Sequence, residues 1–328
     1  MISEENMKSL TVGKNDAGQR LDKFIKKAVP SLPQALMYKY IRTKHIKLNG
    51  KRVGISDRLK EGDIVAMYIK DEFFSEREQF YDFLNAPKQL NIIYEDENIL
   101  LLDKKAGVLC HPDGREYVDT LINRIKRYLY EKGEYRPGEE NSFVPALANR
   151  IDRNTGGIVI AAKNAEALRL LNHIIKTRQL HKYYLCVTVG TPPKRSDVLS
   201  AYLYKDEKSN TVRVSKKPFE NSKSIKTKYT VLDSLNGISL VEIELLTGRT
   251  HQIRAHMASI GCPLLGDGKY GSNRVNKSLG GYKKQLLYSY KLRFDFKEDM
   301  GLLGYLNGRE FEAADVWFKE EFYTGGLV

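Results

Sequence analysis

The sequence predicts an α+β protein: a large domain on a mixed, mostly antiparallel sheet, preceded by a small basic α/β domain. Three observations carry this. Apolar runs of strand length, separated by turn residues, recur from residue 91 onward. Few helical periodicities interrupt them, so strands do not alternate with helices as a parallel sheet requires. Residues 1–70 hold 15 Lys and Arg against 7 Asp and Glu, an excess of +8 out of +13 for the 328-residue chain.

In the first domain, residues 1–70, Leu21, Phe24, Ile25 and Ala28 recur at helical spacing until Pro30 and Pro33 end the helix. A second helix is expected over Gln34–Thr43. Ile46–Leu48 alternates like a strand into an Asn49-Gly50 turn, with Val53 returning as a hairpin partner. Ile64–Ile69 closes the domain as a strand. Residues 71–88 read as a linker whose Phe73, Phe74, Phe80 and Tyr81 suggest docking on a neighbour. The large domain, 89–328, opens with a hairpin at 91–94 and 99–103. A helix with Asp119 as N-cap covers 119–130, and a polar loop covers 131–146. Strand Ile158–Ala162 and helix Ala165–Thr177 come next. Strands follow at Lys182–Val189, Thr211–Ser215, Ser224–Leu232 and Ile238–Leu245, then a helix at His251–Ile260. Later strands lie near Leu286–Phe294 and at an Asn307-Gly308 hairpin. Trp317 and Tyr323 mark a packed tail.

A composition of 41% hydrophobic and 29% charged residues describes a globular chain. Its positive excess, with an isoelectric point near 9.4, points to a polyanionic partner. Cys110, Cys186 and Cys262 are odd in number and far apart, which fits reduced thiols in a cytosolic protein. No secretion signal or membrane-spanning run is evident. In the first domain Lys39, Arg42, Lys44, Lys47, Lys51 and Arg52 cluster as a phosphate-binding face. Each alone could be an ordinary surface charge.

Residues 149–163 place one acid, Asp152, between Arg150 and Arg153 in a turn running into an apolar strand. The Thr155-Gly156-Gly157 step lets the backbone approach a ligand closely. A solvated turn would use similar residues. In residues 248–268, Arg249, His251, Arg254 and His256 cluster where a strand passes into a helix. That helix start offers free N–H groups for a phosphate. His251 and His256 are five apart with no intervening Glu, so a zinc-protease pattern fails. His256 could equally be a core histidine. Arg254 heads into a packed helix and needs a carboxylate partner, for which Asp152 is the candidate. In Lys182–Val189, Tyr183 and Tyr184 point to opposite faces, so only one can line a given cleft.

Arg150-Ile-Asp152-Arg-Asn-Thr-Gly-Gly157, Lys182-Tyr-Tyr-Leu-Cys-Val-Thr-Val-Gly190 and Gly248-Arg-Thr-His-Gln-Ile-Arg254 occur here in an order that resembles the RluA-type pseudouridine synthases. Leu101–Gly107 with Cys110-His-Pro112 resembles the family's first motif, and Gly266–Gly271 its usual ending. Gln19–Phe24 with Ile46–Gly50 is similar to the RNA-binding module named after the fourth small-subunit ribosomal protein. Together these span about residues 11–296. The chain departs from the pattern at Asn149 (usually His), Gly156 (usually Ser), Lys105 (often Pro) and Pro33-Gln34 (usually Ser-Arg).

The resemblance implies the pseudouridine synthase fold and isomerisation of uridine in RNA, without metal or organic cofactor. It implies Asp152 as catalytic aspartate, Arg254 as its salt-bridge partner and Tyr184, by register, as the tyrosine stacking on the target base. Arg150, Arg249 and His251 are expected to contact RNA beside the six cations of the first domain. Large-subunit ribosomal RNA is the expected substrate and transfer RNA the alternative, for a cytoplasmic monomer. A non-catalytic ribosome-assembly factor is a different class, motivated by Asn149 and Gly156. An aspartate-dependent hydrolase would leave the basic domain unexplained.

Overall fold

The computed structural model describes residues 7–74, 81–206 and 208–327. The N-terminal part comprises β1 (Met7–Thr11), α1 (Leu21–Ala28), α2 (Gln34–Arg42), β2 (Ile46–Leu48) and β3 (Ile64–Tyr68), with sheet order β1-β3-β2. Leu21, Phe24 and Ile25 of α1 and Met37 and Ile41 of α2 are buried with Ile46, Val65 and Met67. Asn49 and Gly50 both take left-handed backbone, at φ 49° and 75°, as an Asn-Gly hairpin turn requires. The return at Val53 is not a strand. Only the bridge Leu48–Lys51 forms there, and the lasting partner of β2 is β3, with Ile46 opposite Met67. Residues before Thr11 also belong to the fold, since β1 pairs with β3 from Met7 onward.

The rest comprises β4 (Ile92–Glu95), β5 (Ile99–Lys104), α3 (Leu121–Glu131), β6 (Ala146–Leu147), β7 (Gly156–Ala162), α4 (Ala165–Lys176), β8 (Leu180–Val189) and β9 (Ser196–Asp206). Then come β10 (Thr211–Ser215), β11 (Lys223–Leu235), β12 (Ile238–Glu244), α5 (Gln252–Ser259), α6 (Asn273–Ser278), β13 (Leu287–Phe294), β14 (Glu310–Glu312) and α7 (Trp317–Tyr323). Among the described residues the strands form one sheet, β10-β9-β11-β12-β8-β13-β7-β5-β4, with β14 on β13 and β6 on β7. All described pairings in it are antiparallel except β13 with β7. The expected α+β class, with a mixed and mostly antiparallel sheet, is what forms.

Strand β7 is the spine. Ile158 and Ile160 pack on Leu171 and Ile174 of α4, while Val159 and Ala161 pack on Ile125 and Leu129 of α3. A strand covered on both faces reads as the unbroken apolar run seen in the sequence. Its entry meets β13 so closely that a Cβ on Gly157, at φ 112°, would lie 2.2 Å from the Ser289 carbonyl oxygen.

Three local expectations are corrected. Thr120, not Asp119, caps α3 by accepting from the Asn123 N–H, while Asp119 accepts from Arg124 at 2.7 Å. Strand β9 is absent from the sequence-based expectation, because its first half is largely exposed and its inward apolar positions are only Leu199, Ala201 and Leu203. The tail packs as the helix α7, but through Phe318 and Phe322 on Leu185 and Val187 of β8, whereas Trp317 and Tyr323 are exposed. Of the linker aromatics, Phe73 and Phe74 pack on the N-terminal core. Tyr81 lies against Phe83, itself 7% exposed beside Tyr130 and Tyr135. Phe80 lies outside the described residues.

A polar seam joins the N-terminal part to the body. Asp16, 1% exposed, accepts from the Gly13 N–H, from Asn141 at 2.8 Å and from the Ser142 hydroxyl at 2.5 Å. Asn15 donates to Glu140 at 2.7 Å and accepts from the Ala165 N–H at the start of α4. Asp16→Ala strands these donors and should cost about 1–3 kcal/mol of stability in urea unfolding. An unchanged midpoint would show that the seam contributes nothing.

Helix α5 lies on β11 through polar contacts in a dry setting. Gln252 donates to the Lys226 carbonyl and the Thr227 hydroxyl, and His256 Nδ1 lies 2.9 Å from the same hydroxyl. His256 is thus a core histidine, and burial pushes its pKa down to about 4. Because the folded value lies below the ordinary one near 6.5, stability is lost as pH falls from about 6.5 toward 4, on the order of 3 kcal/mol in full. Tm measured across that window should fall less steeply for His256→Gln than for the wild type. Equal slopes would mean that another group is responsible.

Candidate active site

Asp152 sits in the turn before β7, and its surroundings are pinned by main-chain bonds. Its carbonyl accepts the Thr155 N–H at 3.1 Å, and the Arg153 carbonyl accepts the Gly107 N–H at 2.7 Å. Beneath the turn Lys104, 1% exposed, donates to the carbonyls of Lys105, Val108 and Arg153 at 2.8–3.1 Å. Burial pushes its pKa down to about 8 against the opposing pull of Cys110, Asp152 and Asp103. One ammonium therefore ties two loops together below the acid.

The expected pairing of Asp152 with Arg254 forms, through Arg254 Nη1 to Oδ2 at 3.1 Å. It is not the main one. Arg254 Nε and Nη2 grip both oxygens of Asp267 at 2.7 and 2.9 Å, the fork-to-fork geometry that suits a buried guanidinium. Burial would raise the pKa of Asp267, but the Arg254 bonds and the N–H groups of Lys269 and Tyr270 hold it below the usual carboxylate range. Arg254 also lies 5.2 Å from the centre of the Tyr270 ring. His251, at the N-cap of α5, places Nε2 3.8 Å from Asp152 Oδ2. Both contacts fall on Oδ2, and among the described residues Oδ1 carries no hydrogen bond or ion pair.

That cavity, about 780 Å³, is lined by Asp152, Tyr184, His251 and Arg254, and by the cations Arg150, Lys182, Lys205, Arg249 and Lys269. Its volume suits a nucleotide-sized ligand. Tyr184 enters it from β8, and Tyr183 lies on the opposite face under the Lys291 ammonium at 4.7 Å. Burial pushes the Tyr184 phenol up to about 12, with a Ser289 hydrogen bond opposing and Asp152 adding to the rise. The phenol is therefore neutral at neutral pH.

Arg150, Asp152, Tyr184, Arg249, His251 and Arg254 thus meet at one cavity. Lys39, Arg42, Lys44, Lys47, Lys51 and Arg52 do not line it. Five of them are exposed on the N-terminal part, and Lys47 is half-buried with its ammonium 5.0 Å over Tyr68. The α5 start is less open than expected, since the Gln252 N–H is taken by the Arg249 carbonyl and the Gln252 side chain accepts from the Arg249 N–H. Lys104 lies in the Leu101–Gly107 segment and Asp267, Lys269 and Tyr270 in Gly266–Gly271, both of which carry the family resemblance, but the sequence assigns none of the four a role at this site. Among the described residues no cluster of three His, Cys, Asp or Glu is placed to hold a metal.

Two of the departures from the family pattern, Asn149 and Gly156, have structural roles. Asn149 accepts the Ile160 N–H at 2.8 Å and donates to the Ile158 carbonyl, latching the strand behind Asp152. A Cβ on Gly156 would lie 2.5 Å from the Tyr288 ring, whose hydroxyl donates to Asp103 at 2.6 Å. The exposed Lys105 leaves the Lys104 bonds intact.

A family model described as RNA pseudouridylate synthase matches residues 98–259, and an S4-domain model matches residues 19–65. An uncharacterized RNA pseudouridine synthase of Mycoplasma genitalium is 36% identical over 86% of this chain and 88% of its own. The ribosomal large subunit pseudouridine synthase C of Vibrio parahaemolyticus is 30% identical over 85% of each. The structure of human RNA pseudouridylate synthase domain containing 1 shares the fold, with a TM-score of 0.53, 22% identity and coverage of 70% of this chain and 84% of that one. No described helix is long and apolar enough to cross a membrane. The chain belongs to the RNA pseudouridine synthases, isomerases acting on uridine in RNA, and carries an S4 domain ahead of its synthase region.

Proposed function

We propose that this synthase modifies large-subunit ribosomal RNA, with Asp152 as its catalytic carboxylate and a flipped uridine held against Tyr184. One observation carries the reading: Asp152 lines a cationic cavity with its Oδ2 held by Arg254, whereas Asp113, the other carboxylate in the lining, is bonded to the Arg115 and Glu116 N–H groups of its own turn. In the reaction the C1′–N1 bond breaks, the uracil turns, C1′ joins C5, and the C5 proton is lost while N1 gains one. Nothing is added or removed overall. Tyr184, a neutral phenol beside Asp152, offers a ring for the uracil to stack on. Flipping a base costs a few kcal/mol, and phosphate contacts offset it. Arg150 and Arg249 at the cavity, and the cations of the S4 domain, are placed to supply them. The ribosomal substrate is supported by the relatives named for the large subunit.

Full-length protein incubated with ribosomal RNA transcripts tritiated at uracil C5 should release tritium. Asp152→Asn should release none yet bind the RNA with similar affinity, because Arg254 keeps its bidentate partner Asp267 and the fold holds. Substantial release by the variant would sink the assignment of Asp152. Release from transfer RNA alone would replace the substrate, and tight binding with no release from either would favour an assembly factor.

Replacing Lys39, Arg42, Lys44, Lys51 and Arg52 with Gln should flatten the salt dependence of RNA binding, with the log–log slope falling by about 0.7–0.9 for each phosphate that is no longer neutralised. An unchanged slope in a filter-binding titration would remove this face from the RNA interface.

A further inference from the structure

His251 adopts left-handed backbone at φ 53°, unusual for a side chain of its size, and its side chain is only 9% exposed. Its two ring nitrogens have different neighbours. Nδ1 lies 2.8 Å from the Tyr270 hydroxyl, and Nε2 faces Asp152 Oδ2 at 3.8 Å. The Tyr270 oxygen already accepts the Val212 N–H at 3.0 Å. A phenol has one proton to give, and among the described residues Nδ1 is the acceptor placed to take it. Burial raises the pKa of Tyr270 and lowers that of His251, where Arg254 and Lys269 oppose Asp152 and Asp267, so phenol and imidazole are both neutral. With Nδ1 accepting, the single imidazole proton sits on Nε2 and faces the carboxylate. The other tautomer would set a lone pair against Oδ2 and leave the phenolic proton without an acceptor.

We propose that His251 is a positioning residue for Asp152: locked by Tyr270 as the Nε2–H tautomer, it restrains Oδ2 from a second side and aims Oδ1 at the nucleoside. This rests on the assignment of Asp152 made above. At 3.8 Å the contact is a charge–dipole attraction, and a movement of about 1 Å as substrate enters completes a hydrogen bond. Arg254 cannot do this alone, because two of its nitrogens are committed to Asp267.

Single-turnover tritium release by the full chain tests the proposal through His251→Leu, His251→Gln, Tyr270→Phe and the double variant Tyr270→Phe/His251→Leu. The Phe keeps a ring under Arg254 and removes only the hydroxyl. His251→Leu should lower the rate at saturating RNA about 100-fold with half-saturation unchanged, and Tyr270→Phe about 10-fold. The double variant should be no slower than His251→Leu, because Tyr270 acts through His251. His251→Gln, whose amide can donate from near the Nε2 position, should recover part of the rate. Raised half-saturation with a normal maximal rate would instead make His251 an RNA contact. Additive losses, or losses that track a falling Tm, would overturn the relay. A wild-type enzyme that releases no tritium would strike the catalytic reading on which this rests, an outcome distinct from any of these.

Discussion

The site depends on one buried guanidinium shared unequally between two carboxylates. Arg254 is removed from water by α5, and such a group is tolerable only if its donors are filled. Asp267 fills two of them with short parallel bonds, and Asp152 takes a third at greater length. The division matters. Asp267, with no exposed side-chain surface, is the structural anion that secures the arginine. Asp152, whose side chain is 25% exposed, is therefore not needed to neutralise the core, and its carboxylate stays partly open to solvent, as the proposed role requires.

Every other feature serves to bring that arginine and that acid together from distant parts of the chain. The turn bearing Asp152 is set by β7, whose start admits no side chain at Gly157 because β13 passes against it. Lys104 then binds carbonyls from both sides of the cavity floor. Tyr184 arrives through β8, paired with β13 at Ser289. Strand pairing thus fixes three of the approaches, and α5 brings the fourth.

Much of this is legible in the sequence because its signals are local. The unbroken apolar run of β7, the Asn49-Gly50 turn and the opposite facing of Tyr183 and Tyr184 follow from neighbours along the chain. The pairing of Arg254 with a carboxylate is legible too, since a guanidinium entering a packed helix needs one. Which carboxylate dominates is not. Asp267 lies in the Gly266–Gly271 segment that carries the resemblance, but standing between two glycines it gives no local sign of the arginine it holds, and only the return of the chain after α5 buries it. Tyr270 is hidden for the same reason, because its partners come from β10 and the N-cap of α5. Strand β9 escapes because a half-exposed strand beginning with Ser and Asp has little apolar alternation to read. Non-local burial, in each case, is what the residue pattern does not encode.

The seam at Asp16 changes the thermodynamics of holding the S4 part and the synthase body, the two parts proposed above to contact RNA, in one chain. Two modules on a slack tether gain from each other only through an effective concentration set by tether length, and ordering the tether is charged against each complex. Here Asn15, Asp16 and Gln19 hold the S4 part on residues 140–142 before any RNA arrives. That ordering is settled once, during folding. An RNA that reaches both surfaces meets them at a set spacing, as the jaws of a caliper, and one with its elements at another spacing can engage only one jaw.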